Sequence, residues 1–513
     1  MKKTFLFSFC FLLSAFCFSQ NPGDKIFNSS SIHSINITMN EKNWWDSLQY
    51  YYNDGATQYM IASVTFDSIQ LDSVGIRLKG NSSYGHPGRK KPIKLDLDKF
   101  ISSQNIDGEK KLDLNNSFLD PTMMREKIFL DFLNKEGLSA PRCTYAKVFY
   151  NGNYCGLYKI VEQVDKIFSK THFGNNNGNL FKGDPAGTLE QKGTNADAYY
   201  KDYELKTNNA ANDWSDLVNF IQVVNADQET FTSQIKNVFE TSSYIKSWAA
   251  NNLFVNLDAY YYNPHNYYLY HNSATNQFDW ITWDVSTVFG VFPLWSEEKV
   301  QTLDLLYISK NEDKRPLSKN FLNNTDFRYE YLTDVCNFLY NNFTPSYLFP
   351  KIDSVAARIR DDIYAEPDSN KMYTNEEFEK NIAYETVTGS FFWGDIPGLK
   401  AFVNGRRQEV IVQLCDKGWS CATNSLSSEG VIAIYPNPTF VSVNLNFDLV
   451  EDDAPVSYSI VDMAGREVLS ETVILPRGDY SHNVNIEKLP AGIYILKVAN
   501  ACKKFNSKLV IVK

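Results

Sequence analysis

Hydrophobic and polar positions set two rhythms along this chain. Between residues 61 and 100 they alternate, IASVTFDSIQLDSVGIRLKG and then KKPIKLDLDKF. A period of two puts successive side chains on opposite faces, so antiparallel strands are predicted. A strand over Ser34–Met39 and a helix around Trp44–Tyr52 precede them. The polar link from Gly80-Asn81-Ser82-Ser83 to Gly88 breaks the alternation and reads as a loop. Residues 121–136 switch to helical spacing, opened by Asp120-Pro121-Thr122 and closed at Gly137. A hairpin over Thr144–Ile160 turns at Asn151-Gly152. Its two-residue turn pairs Tyr150 with Asn153 and sets Cys155 opposite Val148, away from Cys143. Residues 170–210, rich in Gly and Asn, read as a long excursion. Helical patterns return over 213–255 and through much of 326–420, as in Ile352–Ile363 and Gly398–Leu414. Strands early and helices late make this an α+β chain.

The style changes at Ala422. Residues 423–430 form a Ser/Asn/Glu linker, and 431–513 hold short alternating strands between turn signals such as Pro436-Asn437-Pro438, Ala464-Gly465 and Pro490-Ala491-Gly492. Phe440, Ser442, Asn444 and Asn446 alternate with Val441, Val443, Leu445 and Phe447, a strand with one buried face. The unit reads as a small all-β sandwich.

A chain of 513 residues is too long for one core, so two or three domains are expected. Lys2 and Lys3 precede an apolar run from Phe5 to Phe18, the form of an export signal over residues 1–19, with cleavage near Ser19/Gln20. That run is too short to span a bilayer, and no other stretch is long and apolar enough, so the mature chain is expected to lack a transmembrane helix. Without Lys2 and Lys3, 48 basic residues face 60 acidic ones, a net −12. This charge argues against nucleic acid and against anionic lipid as partners. Aromatic residues reach 15%, with runs at Tyr50–Tyr52 and Tyr260–Tyr262; these read as packing before they read as a sugar platform. Six cysteines remain in an oxidising compartment, and Cys415 and Cys421, flanking a short polar loop, are the best candidate bridge.

Candidate chemistry concentrates in LDAYYYNPHNYYLYHNSATNQFDWITWDVSTVFG, which ends at Gly290. Asp258 and Asp284 stand at the edges of aromatic runs, with Asn266 between them. Hard oxygen ligands suit Mg²⁺ or Mn²⁺, and a carboxylate can orient an attacking hydroxyl. His265, beside Pro264, reads as a loop residue. H-E-x-x-H, C-x-x-C, G-x-S-x-G and a Walker A lysine are all missing.

Two resemblances add to this reading. Tyr435-Pro436-Asn437-Pro438, Asp462 with Gly465-Arg466, Leu489-Pro490-Ala491-Gly492-Ile493-Tyr494 and the Lys-rich close Lys508 to Lys513 resemble the type A sorting domain of type IX secretion. That resemblance implies handling by the type IX machinery, with export through the periplasm and across the outer membrane to the cell surface or the medium. Residues 30–420 resemble the CotH kinase family, through Gly75-Ile76-Arg77-Leu78-Lys79-Gly80-Asn81-Ser82-Ser83, Lys90-Lys91-Pro92-Ile93-Lys94-Leu95, Met124-Arg125, Asn151 to Tyr158, Glu162-Gln163-Val164-Asp165, Asn266 to Tyr270, and Trp283-Asp284 to Gly290. The resemblance implies an atypical kinase-like domain over 20–422, transferring the γ-phosphate of ATP to serine of an extracellular or surface protein with Mg²⁺ or Mn²⁺.

In that scheme Asp284 binds metal, Asn266 is a further metal ligand and Asp258 orients the acceptor hydroxyl. Gly80-Asn81-Ser82-Ser83 offers backbone N–H groups to phosphate. Lys94 is the phosphate-binding lysine, with Lys79 and Lys91 as rivals, and Glu162 is its carboxylate partner. Arg77 and Arg125 are alternatives for the same electrostatic role. One position departs from the family: Ser286 stands where a second acidic residue is common. That departure, the aromatic content and the scarcity of ATP outside the inner membrane support a second reading, a non-catalytic surface adhesin or ligand binder on the same scaffold.

Overall fold

The alternating residues close into a barrel. In the computed structural model, which describes residues 21–55, 58–292, 296–388, 394–417, 419, 421, 433–449, 454–475, 478–499 and 504–513, seven strands form it. They are β1 (His33–Thr38), β2 (Met60–Phe66), β3 (Ile69–Leu78), β4 (Ile93–Asp96), β5 (Lys111–Asn115), β6 (Cys143–Tyr150) and β7 (Asn153–Val161), in the order β1-β2-β3-β4-β5-β7-β6. The closing pair, β1 with β6, is parallel; the others are antiparallel. Closure leaves no sheet edge to template aggregation. Ile35, Ile37, Val64, Ile76, Leu78, Ile93, Leu95, Leu114, Val148 and Ile160 fill the interior, each burial stabilising by roughly 1.5–3 kcal/mol. Arg77, Lys94 and Asp113 lie in register across β3, β4 and β5 on the opposite, outer face.

The hairpin pairs Tyr150 with Asn153 as expected, but an irregularity after Val148 sets Gly156, not Cys155, opposite it. Cys143 pairs with Val161, and both thiols are free and buried. The expected export signal (1–19) and the linker (423–430) lie outside the described residues.

Residues 170–210 are more than an excursion. They supply β8 (Leu180–Gly183) and β9 (Tyr203–Leu205), which join β10 (Tyr267–Asn272) and β11 (Gln277–Thr282) in a sheet of order β11-β10-β8-β9. Short apolar anchors, Leu180-Phe181 and Tyr203 with Leu205, hold these strands among polar neighbours. A two-strand pair, β12 (Val387–Thr388) and β13 (Asp395–Ile396), lies farther on.

The helices are α1 (Asp24–Phe27), α2 (Trp44–Asn53), α3 (Arg125–Lys135), α4 (Lys166–Phe173), α5 (Ser215–Val224), α6 (Gln228–Val238), α7 (Thr241–Leu253), α8 (Glu297–Gln301), α9 (Pro316–Asn323), α10 (Thr325–Asn341), α11 (Pro345–Tyr364), α12 (Asn375–Ile382) and α13 (Leu399–Asp416). α3 shows how local sequence sets its ends. The Asp120 carboxylate accepts from the Arg125 and Thr122 amides at 2.9 and 3.1 Å, organising the turn before the helix. At the other end Gly137, at φ +77°, closes the helix as Leu138 N–H donates to the Leu133 carbonyl and Gly137 N–H to that of Asn134.

Cys421 bonds to Cys336 on α10, with a Cα–Cα distance of 5.3 Å, in place of the expected Cys415–Cys421 bridge. α13 runs through Cys415, and the chain beyond it folds back over α10, where Trp419 meets the Tyr329 ring at 4.8 Å. No helix among the described residues is long and apolar enough to cross a membrane.

The C-terminal unit is a sandwich, as its alternation predicts. β14 (Ala433–Tyr435), β15 (Ser442–Leu449) and β18 (Gly478–Asn485) form one sheet; β16 (Ala454–Val461), β17 (Glu467–Leu475), β19 (Gly492–Ala499) and β20 (Lys504–Ile511) form the other. Val443, Leu445, Ile460, Leu496 and Leu509 lie between them. Phe440 and Val441 are exposed, so the buried face begins at Val443. The motif residues have structural work. The Asn437 side chain donates to the Lys508 carbonyl at 2.7 Å and accepts from the Val510 amide at 2.9 Å. Asp462 accepts from the Ala464 and Arg466 amides around Gly465, and Tyr494 donates to the Pro490 carbonyl.

Candidate active site between the barrel and the second sheet

Asp284 follows β11 directly and has left-handed backbone, φ +47°. Its turn ends at Gly290, φ +74°, where a Cβ would lie 2.6 Å from Val300. Asn266, at φ +62°, precedes β10, and its carbonyl accepts from Trp283 N–H at 3.1 Å, which brings the two turns together. Val255, φ +48°, shows the same backbone, costly for a β-branched residue. Strain of this kind, about 1–3 kcal/mol per residue, persists only where surrounding packing enforces it, and it gathers at functional sites.

Asp284 keeps open surface, yet the surrounding protein partly desolvates it. Burial raises its pKa, the charges of Glu126 and Asp258 raise it further, and Ser286 and Lys79 pull it back. One carboxylate oxygen accepts from Ser286 Oγ at 3.0 Å; the other has no hydrogen bond among the described residues.

Asp258 is held differently. Its carboxylate accepts from Asn263 Nδ2 at 2.7 Å, His265 Nε2 at 2.9 Å and Asn266 Nδ2 at 3.0 Å. Burial works to raise its pKa, but these partners outweigh burial and keep it low. His265 is therefore no idle loop residue. Asn266 spends its amide N–H groups on Asp258, which leaves its Oδ1 available as a ligand.

The outer face of the barrel carries a group of cations, of which Lys79 lowers the Asp284 pKa. Lys79 Nζ lies 3.1 Å and Lys94 Nζ 3.8 Å from Oδ1 of the buried Asp113. Arg77 stands beside Lys94 in register and over the Tyr59 ring. Two lysines thus share one carboxylate with Arg77 close by, and the Lys94 pKa is lowered by burial first and then, against Asp113, by Lys79 and Arg77. Just past Lys79, the exposed amides of Asn81 and Ser82 donate to no described residue.

Several expected pairings change. Lys94 does not meet Glu162; it binds Gln163 and Asp113. Val161 is the residue paired with Asp113, so Glu162, one step on, faces away, to Arg142 at 2.6 Å and His172 at 3.2 Å. Lys91 is engaged by the Tyr84 and His86 carbonyls inside its own loop. Arg125 is fully buried against Asp120, Asn381 and Pro397. A buried lysine–glutamate pair does exist, Lys159 with Glu126 at 2.9 Å, joining β7 to α3. The sequence reading missed Asp113 and this pair. Asp113 alternates with Leu112 and Leu114 in a strand-like run, the one signal that could have placed it on the Lys94 face.

The donor set suits a hard divalent cation. Among the described residues no three His, Cys, Asp or Glu side chains gather to hold a metal alone. Mg²⁺ and Mn²⁺ instead take one or two protein oxygens and complete their shell with water and substrate phosphate. Asp284 and Asn266 Oδ1 fit that use.

Comparisons agree with this organisation. Residues 76–410 match the model described as CotH kinase protein, and 433–512 match the secretion system C-terminal sorting domain. The inner spore coat protein H of Bacillus subtilis (strain 168) is 27% identical over 279 residues, 52% of this chain and 73% of that protein. Invasin CotH2 of Rhizopus delemar is 22% identical over 333 residues, 59% of this chain and 55% of its own length. Among solved structures, the twitchin kinase region from C. elegans aligns at 12% identity over 92% of this chain and 78% of that one, with a TM-score of 0.19, too low to carry an inference about fold.

Proposed function

The chain belongs to the CotH kinase protein family and carries a sorting domain that marks it for type IX export, and from that premise we propose that it is an exported, metal-dependent phosphotransferase moving the γ-phosphate of ATP to serine of a surface or extracellular protein. The observation that carries the reading is a cation-rich barrel face, Lys79 and Lys94 on the buried Asp113, together with an exposed carboxylate, Asp284, that keeps one oxygen without a hydrogen bond and feels the charge of Lys79.

Lys79 and Lys94, held by Asp113, hold the nucleotide phosphates, with Arg77 and the Asn81 and Ser82 amides beside them. Asp284 and Asn266 hold the divalent cation. A cation held there would supply positive charge against the charge that develops on the transferring phosphate. Asp258 orients the acceptor hydroxyl, and its low pKa keeps it an acceptor at neutral pH. Ser286 in place of a second acid leaves fewer protein charges at the metal.

A second reading has its own support: the Rhizopus relative is named an invasin, and the same scaffold could serve as a surface ligand binder. γ-Labelled ATP with Mn²⁺ and a generic serine-rich acceptor separates the two. Transfer to serine, lost in Asp284→Ala, supports the phosphotransferase. No transfer and no self-labelling, with surface binding intact in Asp284→Ala, supports the binder.

A further inference from the structure

A single buried hydrogen-bond chain ties both aspartate loops to α7. Thr287 Oγ1 donates to Asn256 Oδ1 at 3.0 Å, and Asn256 Nδ2 donates to Asn251 Oδ1 at 2.8 Å. Asn251 Nδ2 donates to the Ser247 carbonyl at 2.8 Å, and the Ser247 hydroxyl meets that of Thr282 at 2.6 Å. Ser247, Asn251, Asn256 and Thr282 are all buried, and Asn256 is fully so.

The placement of these residues is the telling part. Thr282 ends β11 two residues before Asp284, Thr287 follows Asp284 by three, and Asn256 precedes Asp258 by two. Backbone bonds brace the same junction, Phe289 N–H to the Phe254 carbonyl at 2.7 Å and Asn256 N–H to that of Asn251 at 2.8 Å. Buried amides that satisfy one another specify one arrangement, because any shift of either loop strands a polar group away from water. Neither asparagine side chain hydrogen-bonds to Asp258 or Asp284.

We propose that Asn256, with Asn251 and Thr287, is a positioning residue that sets Asp258 relative to Asp284, and so the alignment of acceptor hydroxyl and γ-phosphate. This rests on the phosphotransferase reading. Transition-state geometry is far more sensitive to such alignment than nucleotide binding is.

The test uses Thr287→Val, which keeps shape and removes the donor, with Thr287→Ser as the conservative rescue and Asn256→Ala as a second break. The rate of self-phosphorylation is measured in the full exported chain with labelled ATP and Mn²⁺, together with the ATP KM and the thermal midpoint. The expected result is a fall in maximal rate of about ten- to a hundredfold in Thr287→Val, an unchanged KM, and recovery in Thr287→Ser. A wild-type rate in Thr287→Val, a rise in KM that accounts for the loss, or no recovery with serine overturns the assignment. A wild-type chain that neither transfers phosphate nor gains thermal stability with Mn²⁺ and ATP sinks the phosphotransferase reading itself, and this assignment with it.

Discussion

Two clusters of buried charge lie close together in this protein and differ in one respect. In the first, Arg125 and Lys159 meet Asp120 and Glu126, two cations against two carboxylates, at 3.0 Å for Arg125–Asp120 and 2.9 Å for Lys159–Glu126. It is sealed; all four residues are 2% exposed or less. In the second, Lys79 and Lys94 share one carboxylate, Asp113, with Arg77 beside Lys94, and Asp284 keeps an unpaired oxygen and feels the charge of Lys79. The first cluster is balanced and buried and holds β7 against α3, although the Glu126 charge still raises the Asp284 pKa. The second keeps more cations than its carboxylate balances, and Asp284 keeps an oxygen without a hydrogen bond, charge that an anion and a cation together would satisfy. Charge balance, more than burial, separates the two clusters.

Breaking the closed cluster should have the largest effect. Glu126→Ala leaves Lys159 buried with only the more distant Asp120, and is expected to cost about 3–5 kcal/mol in urea denaturation. Asp284→Asn should act in opposite directions on activity and stability. Phosphotransfer is expected to fall by about 10²–10³. The thermal midpoint without ligand should rise, because a carboxylate whose folded pKa lies above its unfolded value destabilises the fold at neutral pH, a penalty relieved only as pH falls. Equal destabilisation by both variants would erase the distinction between the clusters.

Lys94→Met should raise the ATP KM about tenfold, the scale of one charge-assisted phosphate contact, and leave the fold as stable or more so, since it relieves crowding among three cations. A third cluster sharpens the rule further. Arg142 and His172 face three carboxylates, Asp24, Glu109 and Glu162, and burial, followed by the charge of Glu162, pushes Glu109 up to about 8. Between the ordinary carboxylate range and pH 8 the folded state binds the extra proton, so stability should fall as pH rises through that window, by about 1.4 kcal/mol per pH unit at most. Glu109→Gln should flatten that slope in thermal melts from pH 6 to 9.

Much of the fold was legible because period two survives in a barrel whose inner face is largely apolar. Ile76, Leu78, Ile93 and Leu95 point in, and Arg77 and Lys94 must then point out. β8 and β9 were hidden because three or four residues among Gly and Asn carry too little periodicity. Cys336–Cys421 was out of reach because it depends on the chain folding back over α10. At the site, Asp258, Asp284 and Asn266 were readable as a segment, and the structure gathers them. The partner of Lys94 was not, since a single step of register decides whether Glu162 or Asp113 shares its face.

The central claim is that Asp284 and the Lys79–Lys94 face form one nucleotide–metal site. Thermal unfolding of the full exported chain with ATP alone, Mn²⁺ alone and both together, beside Asp284→Asn, tests it without knowledge of the acceptor. Both ligands together, at about 100 times the dissociation constant, should add roughly 2.7 kcal/mol to the wild type, with little gain from either alone and none in Asp284→Asn. A wild type indifferent to the pair, or a variant that responds equally, would contradict the account.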